Sequence, residues 1–104
     1  MFARLIVLAA AAAAMAPSMV AAGSIEKACL KSGRPAASRA LCGCIQDAAD
    51  LTLSRSDQAK AARFFRDPDA AMKVRQSSSG AEERFWERYR AFGDTAVAFC
   101  DHLG

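Results

Sequence analysis

Residues 81–103, AEERFWERYRAFGDTAVAFCDHL, carry the clearest hydrophobic pattern in the chain. Apolar residues recur there at spacings of four and three, which places them on one face of an α-helix. These residues are Ala81, Phe85, Tyr89, Phe92, Ala96, Phe99 and Leu103. Trp86 lies off this stripe, and we expect it to be partly exposed. The pattern predicts a long, amphipathic last helix whose aromatic stripe covers other helices.

Two helices are predicted in the first half of the domain. Ser24 is a candidate cap for a short first helix, which ends at Gly33 and Pro35. A second helix is predicted from near Ala36 to Leu51. Its apolar residues again recur at spacings of three and four, which predicts one buried face. That face comprises Ala37, Leu41, Cys44, Ala48 and Leu51.

Two further helices are predicted between this segment and the last helix. Ser54 with Asp57 resembles a capping box, so a third helix should run to about Arg66. Its inward residues are predicted to be Ala59, Ala62 and either Phe64 or Phe65. Asp67 as cap and Pro68 in the first helical position predict a short fourth helix ending near Gln76. Ser79 with Glu82 repeats the capping-box pattern before the last helix.

Strand-like alternation is absent from the sequence, and the connections between the predicted helices are short. Short connections suit antiparallel neighbours. The sequence therefore predicts an all-α fold, a small bundle of four or five helices.

Residues 1–22 have the layout of a cleaved signal peptide. Arg4 supplies a basic start, residues 5–14 form an apolar run, and Val20-Ala21-Ala22 provides small residues for cleavage before Gly23. An uncleaved anchor is the alternative, because residues 5–22 approach the length of a membrane span. The alanine-rich composition and Pro17 argue against it. We expect a periplasmic or secreted domain, residues 23–104, with no membrane span after cleavage.

The charge of that domain is nearly balanced. Without Arg4, 13 basic residues stand against 11 acidic ones, a formal net charge of +2. The two signs are interspersed along the chain, whereas a nucleic-acid-binding protein needs a basic face. We therefore expect no nucleic-acid partner.

Four cysteines remain after the leader: Cys29, Cys42, Cys44 and Cys100. An even count in a small exported chain is typical of a disulfide framework, which such a domain needs because its core is small. Two connectivities stay open. One pairs Cys29 with Cys42 and Cys44 with Cys100; the other pairs Cys29 with Cys44 and Cys42 with Cys100. The first is slightly preferred.

Cys42-Gly43-Cys44 also permits a chemical interpretation, since two nearby thiols can bind Cu(I) or exchange electrons. His102, the only histidine, could join them in a metal site, but the spacing matches no zinc pattern. Motifs of serine nucleophiles, phosphate loops and dinucleotide sites are absent. We expect two structural disulfides, no metal, no cofactor and no catalytic residue, so the chain is not predicted to be an enzyme.

A cluster of arginines on the last helix is a weaker candidate for binding. Arg84, Arg88 and Arg90 lie beside Trp86 and Tyr89, which could form a cation–π or anion-binding surface. Glu83 and Glu87 can neutralise these arginines through local pairs, which favours a solvated face.

Several segments resemble a family of short bacterial exported proteins often labelled "arginine transporter". They are residues 28–30 (ACL), 36–46 (AASRALCGCIQ), 53–58 (LSRSDQ), 64–68 (FFRDP) and 85–89 (FWERY), with Cys100. The resemblance covers nearly all of the domain and brings no assigned site residue with it. A domain without membrane spans cannot form a transport path, so the label implies at most solute binding outside the inner membrane.

An arginine site needs clustered carboxylates, and the candidates are Asp47 with Asp50 and Asp67 with Asp69. Both pairs are more simply interpreted as helix-surface or capping groups. The sequence thus predicts a binding or scaffolding module for a small solute or a protein partner, with thiol-redox or copper handling at Cys42 and Cys44 as the alternative. Free arginine is expected to bind weakly or not at all.

Overall fold

The computed structural model describes residues 23–104, so the predicted leader, residues 1–22, lies outside the described residues. The described part of the chain forms five α-helices and no strand. The helices are α1 (Ser24–Lys31), α2 (Arg39–Thr52), α3 (Arg55–Arg66), α4 (Pro68–Arg75) and α5 (Gly80–Cys100), and a 3₁₀ turn follows at Asp101–Leu103. The all-α bundle predicted from the hydrophobic periodicity is confirmed.

Local sequence signals explain where most of these helices begin and end. The Ser54 hydroxyl accepts a hydrogen bond from the Asp57 backbone N–H at 3.1 Å, as the predicted cap requires. After α1, Gly33 adopts a φ of 71°, a left-handed conformation that glycine enters without a steric penalty. Pro68 opens α4 in the first helical position, as predicted.

Three of the predicted caps are wrong in detail. Gly23, not Ser24, precedes α1, and Ser24 is its first residue. Asp67 and Ser79 occupy the N-cap positions of α4 and α5, but their side chains make no capping hydrogen bond. Glu82 does not turn back to the start of α5, because its carboxylate binds the Lys60 ammonium of α3 at 2.6 Å. A tertiary ion pair has replaced the predicted local hydrogen bond.

The helix α2 lies at the centre of the bundle and packs against both α1 and α5. It therefore buries two faces, whereas the sequence predicted one. The predicted face contacts α5 through Cys44, which is bonded to Cys100. A second face contacts α1 and α3 and comprises Cys42, Gln46, Ala49 and Leu53.

Leu51 was predicted to be buried, and this is wrong, since 69% of its surface is exposed. Successive helical residues are about 100° apart, so Leu51 points away from Ala49 and Leu53, two positions on either side. Ala37, predicted to lie on the same buried face, precedes the observed helix, which begins at Arg39. On α3, the buried residues are Gln58, Ala61 and Phe64, so Phe64 rather than Phe65 is the core aromatic, while Ala59 is exposed.

The core joins α1, α2, α3 and α5 around an aromatic cluster. Phe64 meets Phe85 and Tyr89 edge-to-face, with ring centroids 6.1 and 5.1 Å apart, and Tyr89 contacts Phe92 at 5.8 Å. The buried members are Ile25, Ala48, Ala49, Leu53, Ala61, Phe64, Phe85 and Phe92. Trp86 is half-buried, in agreement with its position off the stripe.

The C-terminal end of the aromatic stripe departs from the prediction. Phe99 is 53% exposed and Leu103 is exposed as well, although both continue the spacing of Phe85 and Phe92. Cys100, about 100° further round α5, faces α2 through its bond to Cys44, which turns Phe99 outward. The stripe therefore belongs to the core at Phe85 and Phe92 and is exposed at its C-terminal end.

Candidate functional site

The four cysteines form two disulfides, Cys29–Cys42 and Cys44–Cys100. This is the first of the two connectivities that the sequence left open. Cys42 and Cys44 lie two residues apart on α2, about 200° round the helix, so each reaches a different partner helix. The first bond attaches α1 to α2, and the second attaches the end of α5 to α2.

This pairing bears on the proposed chemistry of Cys42 and Cys44. Copper binding or thiol exchange by the pair requires free thiols or a bond between the two sulfurs, and each sulfur is bonded to a distant cysteine instead. Cys42 is also fully buried. His102 lies exposed in the 3₁₀ turn, and no cluster of three or more potential metal-binding side chains occurs within residues 23–104.

The candidate arginine surface of α5 includes one residue that is already paired. Arg88 forms an ion pair with Asp57 of α3, its Nε lying 2.7 Å from a carboxylate oxygen. Hydrogen bonding to Arg88 lowers the pKa of Asp57 below its ordinary value. The cation–π contacts lie elsewhere: Lys60 is 4.4 Å from the Phe85 ring centroid and Arg34 is 5.7 Å from that of Phe65. Arg88 therefore joins helices instead of facing a ligand.

A cleft of about 800 Å³ opens where α1, α2 and α3 meet. Its size falls within the range of small-molecule sites, and such sites combine a concave shape with a few convergent polar groups. The charged groups that line it are Glu26 of α1, Asp47 and Asp50 of α2, and Arg55 of α3. The other lining residues are Gly23, Ser24, Gly43, Gln46, Gln58 and Ala59.

Two buried glutamines form the floor of the cleft, and each is only 7% exposed. The Gln46 side-chain oxygen accepts a hydrogen bond from the Glu26 backbone N–H at 2.9 Å. Its amide nitrogen donates to Asp50 and to the Gln58 side-chain oxygen, both at 2.8 Å. The Gln58 nitrogen donates to Asp50 at 3.1 Å and to the Leu53 carbonyl at 3.2 Å. These bonds join all three helices and hold the Asp50 carboxylate in place.

The cleft carries a negative charge. Its lining contains three carboxylates and one guanidinium, a formal net charge of −2. The two ion pairs found among residues 23–104, Lys60–Glu82 and Arg88–Asp57, both lie outside the lining. Asp47 and Asp50 are exposed to solvent within the cleft. A ligand that offers a cationic group can therefore reach carboxylates that no described cation neutralises directly.

Two carboxylate pairs were predicted as candidate arginine ligands, and the structure places only one of them in the cleft. Asp47 and Asp50 share the cleft, and Glu26 joins them from α1. Asp67 and Asp69 lie exposed at the start of α4 and are not part of it. Folding thus brings Glu26, which is distant along the chain, into the same cleft as Asp47 and Asp50.

Sequence reasoning missed Glu26, Arg55, Gln46 and Gln58. A signal for the glutamines was present: Gln46 follows Cys42 by four residues and precedes Ala49 by three, so it shares their helix face. Polar residues within a buried stripe need hydrogen-bond partners, and thus indicate a polar network. No comparable local signal identifies Glu26 or Arg55.

A second, smaller groove of about 240 Å³ lies between α2 and α5. It is mainly apolar, lined by Leu41, Ile45, Ala96 and Val97 beside the Cys44–Cys100 bond. Phe99 and Val97 leave apolar surface exposed at this end of the molecule. Asp101 is the one charged residue in its lining, which contains no amide side chain.

Comparison of the chain with family models, with curated proteins and with solved structures found no match. Among the described helices, none combines the length and apolar character needed to cross a membrane. The site must therefore be interpreted from its own geometry.

Proposed function

We propose that residues 23–104 form a non-catalytic binding module that holds a small cationic solute in the cleft between α1, α2 and α3. One observation carries this proposal: the three helices bring three carboxylates, one guanidinium and two buried amides to one concave surface. The Cys29–Cys42 disulfide attaches α1 to α2, and the amide network joins all three helices, so the cleft is formed before a ligand arrives.

The charge of the cleft favours a cation, and the arrangement of donors and acceptors favours a planar one. Guanidinium groups bind carboxylates through two parallel hydrogen bonds, whereas an ammonium acts as a point charge. Asp47, Asp50 and Glu26 supply acceptors from two helices. The resemblance to proteins labelled "arginine transporter" points to the same chemistry, in which this module would bind solute and leave transport to a membrane partner.

The affinity for free arginine should be low. Asp47 and Asp50 are solvent-exposed, and ion pairs in such positions contribute little because water and salt screen them. Arg55 adds repulsion towards a cationic ligand. We expect a Kd of about millimolar, equivalent to roughly −4 kcal/mol. Weak binding of free arginine, as predicted from the sequence, is therefore compatible with the proposed site.

Nuclear magnetic resonance can detect binding in this range and locate it. Oxidised protein of residues 23–104 should be titrated with arginine and with citrulline, which replaces the guanidinium by an uncharged urea group. We expect arginine to shift the side-chain amide signals of Gln46 and Gln58 and the backbone signal of Gly43, and citrulline to shift them far less. Equal shifts with both compounds would contradict recognition of a cation.

Three charge substitutions sharpen this test. Asp47→Asn should weaken arginine binding several-fold, and Arg55→Gln should tighten it, because each changes the charge of the cleft by one unit. Asp69→Asn removes an exposed carboxylate outside the cleft and serves as the matched control. If Asp69→Asn changed the affinity as much as Asp47→Asn and Arg55→Gln do, binding would follow the overall charge of the protein. That result would contradict the proposed site.

The proposed location is the periplasm or the exterior of the cell. Two disulfides persist in oxidising compartments, and residues 1–22 have the layout of a signal peptide. Mass spectrometry of the native protein should find Gly23 at the N-terminus. Recovery of chains that retain Met1 in the membrane fraction would contradict export by cleavage.

A further inference from the structure

The predicted cleavage bond, Ala22–Gly23, lies at the very start of the folded domain. Gly23 is the N-cap of α1 and is already half-buried. Its carbonyl oxygen accepts a hydrogen bond from the Lys27 backbone N–H at 3.0 Å. Two residues further on, the Ile25 side chain is fully buried in the core. The folded bundle thus begins at the residue that directly follows the predicted cleavage bond.

The residues after the bond make further attachments to the bundle. The Glu26 N–H donates to the buried Gln46 side chain, which itself is held by Asp50 and Gln58. Cys29, further along the same helix, is bonded to Cys42. Residues 24–31 are helical and pack on α2 and α3.

We infer that the folded, oxidised domain protects its own cleavage site, so that signal removal must precede the docking of α1. This inference rests on the leader proposed above. A peptidase binds its substrate as an extended segment that contributes main-chain hydrogen bonds on both sides of the bond. In the hydrolysis, the Ala22–Gly23 C–N bond breaks, water adds a hydroxyl to the Ala22 carbonyl carbon, and Gly23 receives the proton. Extending residues 23–26 requires Ile25 to leave the core and Glu26 to leave Gln46.

The glycine at position 23 supports this close packing. A Cβ at this position would lie 2.3 Å from the Gln46 side chain, well inside van der Waals contact. Gln46 cannot move aside without losing its bonds to Glu26, Asp50 and Gln58. The close approach of the backbone to α2, rather than recognition of a side chain by a peptidase, therefore accounts for glycine here.

The order of folding and cleavage can be tested with the full 104-residue chain in detergent and a purified signal peptidase. Oxidised, folded precursor is compared with the same precursor reduced and unfolded, and the released domain is measured by mass spectrometry. We expect cleavage before Gly23 at least about tenfold faster in the unfolded chain, because cleavage of the folded chain follows the rare opening of α1.

Two variants of the oxidised precursor separate protection by α1 from other effects of folding. Ile25→Ala should accelerate its cleavage, whereas Leu30→Ala, a substitution of an exposed residue on the same helix, should not. Insertion of six flexible residues directly after Ala22 should restore rapid cleavage even in folded protein. That variant leaves α1 unchanged and keeps the test valid if Ile25→Ala unfolds the domain.

The possible outcomes distinguish this inference from the proposed export. Equal rates for folded and unfolded precursor would overturn the protection while leaving the leader intact. Failure of the insertion to accelerate cleavage would overturn it as well. Absence of cleavage in every form would overturn both the leader and the inference, whereas binding in the cleft would be unaffected.

Discussion

The helices α1 and α4 have the same length, eight residues, but the bundle holds them very differently. Helix α1 buries Ile25 and Cys29, is bonded to α2 by a disulfide, and donates a backbone N–H to Gln46. Helix α4 buries no residue, and its Met72 is 44% exposed. Isolated helices of this length are unstable in water, so each depends on its tertiary contacts.

The difference shows that apolar content does not decide which short helix belongs to the core. Helix α4 contains Ala70, Ala71, Met72 and Val74, yet it rests against α3 and α5 only as a partly buried layer. Helix α1 owes its position to one fully buried isoleucine and to attachments made through α2. Four predictions test this distinction, from the largest effect to the smallest.

The largest effect should come from the aromatic stripe of α5. Its regular spacing includes both Phe92 and Phe99, but only Phe92 is buried. Phe92→Ala should lower the free energy of unfolding by about 3–5 kcal/mol, because it leaves a cavity in the core that Ile25 shares. Phe99→Ala should cost less than about 1 kcal/mol, since its ring is mostly exposed. Urea denaturation measures both. Equal losses would show that Phe99 is covered in solution.

A direct comparison of the two short helices gives the next largest effect. Ile25→Ala should destabilise the domain by about 2–4 kcal/mol, whereas Met72→Ala should cost less than about 1 kcal/mol. Both substitutions shorten an apolar side chain on an eight-residue helix, so the difference isolates burial. A loss at Met72 as large as that at Ile25 would place α4 within the core.

Removal of the short disulfide tests the attachment of α1. The double substitution Cys29→Ala with Cys42→Ala should lower stability by about 3 kcal/mol in the chain-entropy model. Hydrogen exchange should show α1 amides protected more strongly than those of α4 in the oxidised protein, and nearly alike in the variant. Unchanged protection of α1 would mean that Ile25 and Gln46 hold the helix without the disulfide.

The smallest effect concerns the Asp57–Arg88 ion pair, which joins the two helices on either side of α4. Because the folded-state pKa of Asp57 is lowered, its contribution is complete above the unfolded-state value of about 3.9 and is lost as the pH falls through the lower folded value. Arg88 is largely exposed, so solvent screening should keep the contribution small. Asp57→Asn should remove this part of the acid sensitivity, and Asp69→Asn should not.

The candidate site was predictable only in part. Asp47 and Asp50 were identified because they lie three residues apart on one helix, a local relation that the sequence displays. Glu26 and Arg55 reach the same cleft from two other helices, and Gln46 lies on the face of α2 that the sequence analysis did not identify as buried. The same reasoning selected Leu51 for the core, because it considered only one face of α2, and that helix buries two.

The sequence by itself determined the helical class, the cap at Ser54 and the break at Gly33, and it limited the helices to four or five, since each of these depends on residues within one or two turns. Only the tertiary structure decided which cysteines pair, that Phe99 is exposed, and that three carboxylates share a cleft with two buried amides. These features depend on which helices meet. That choice follows from the burial of the whole core, which periodicity along a single helix does not encode.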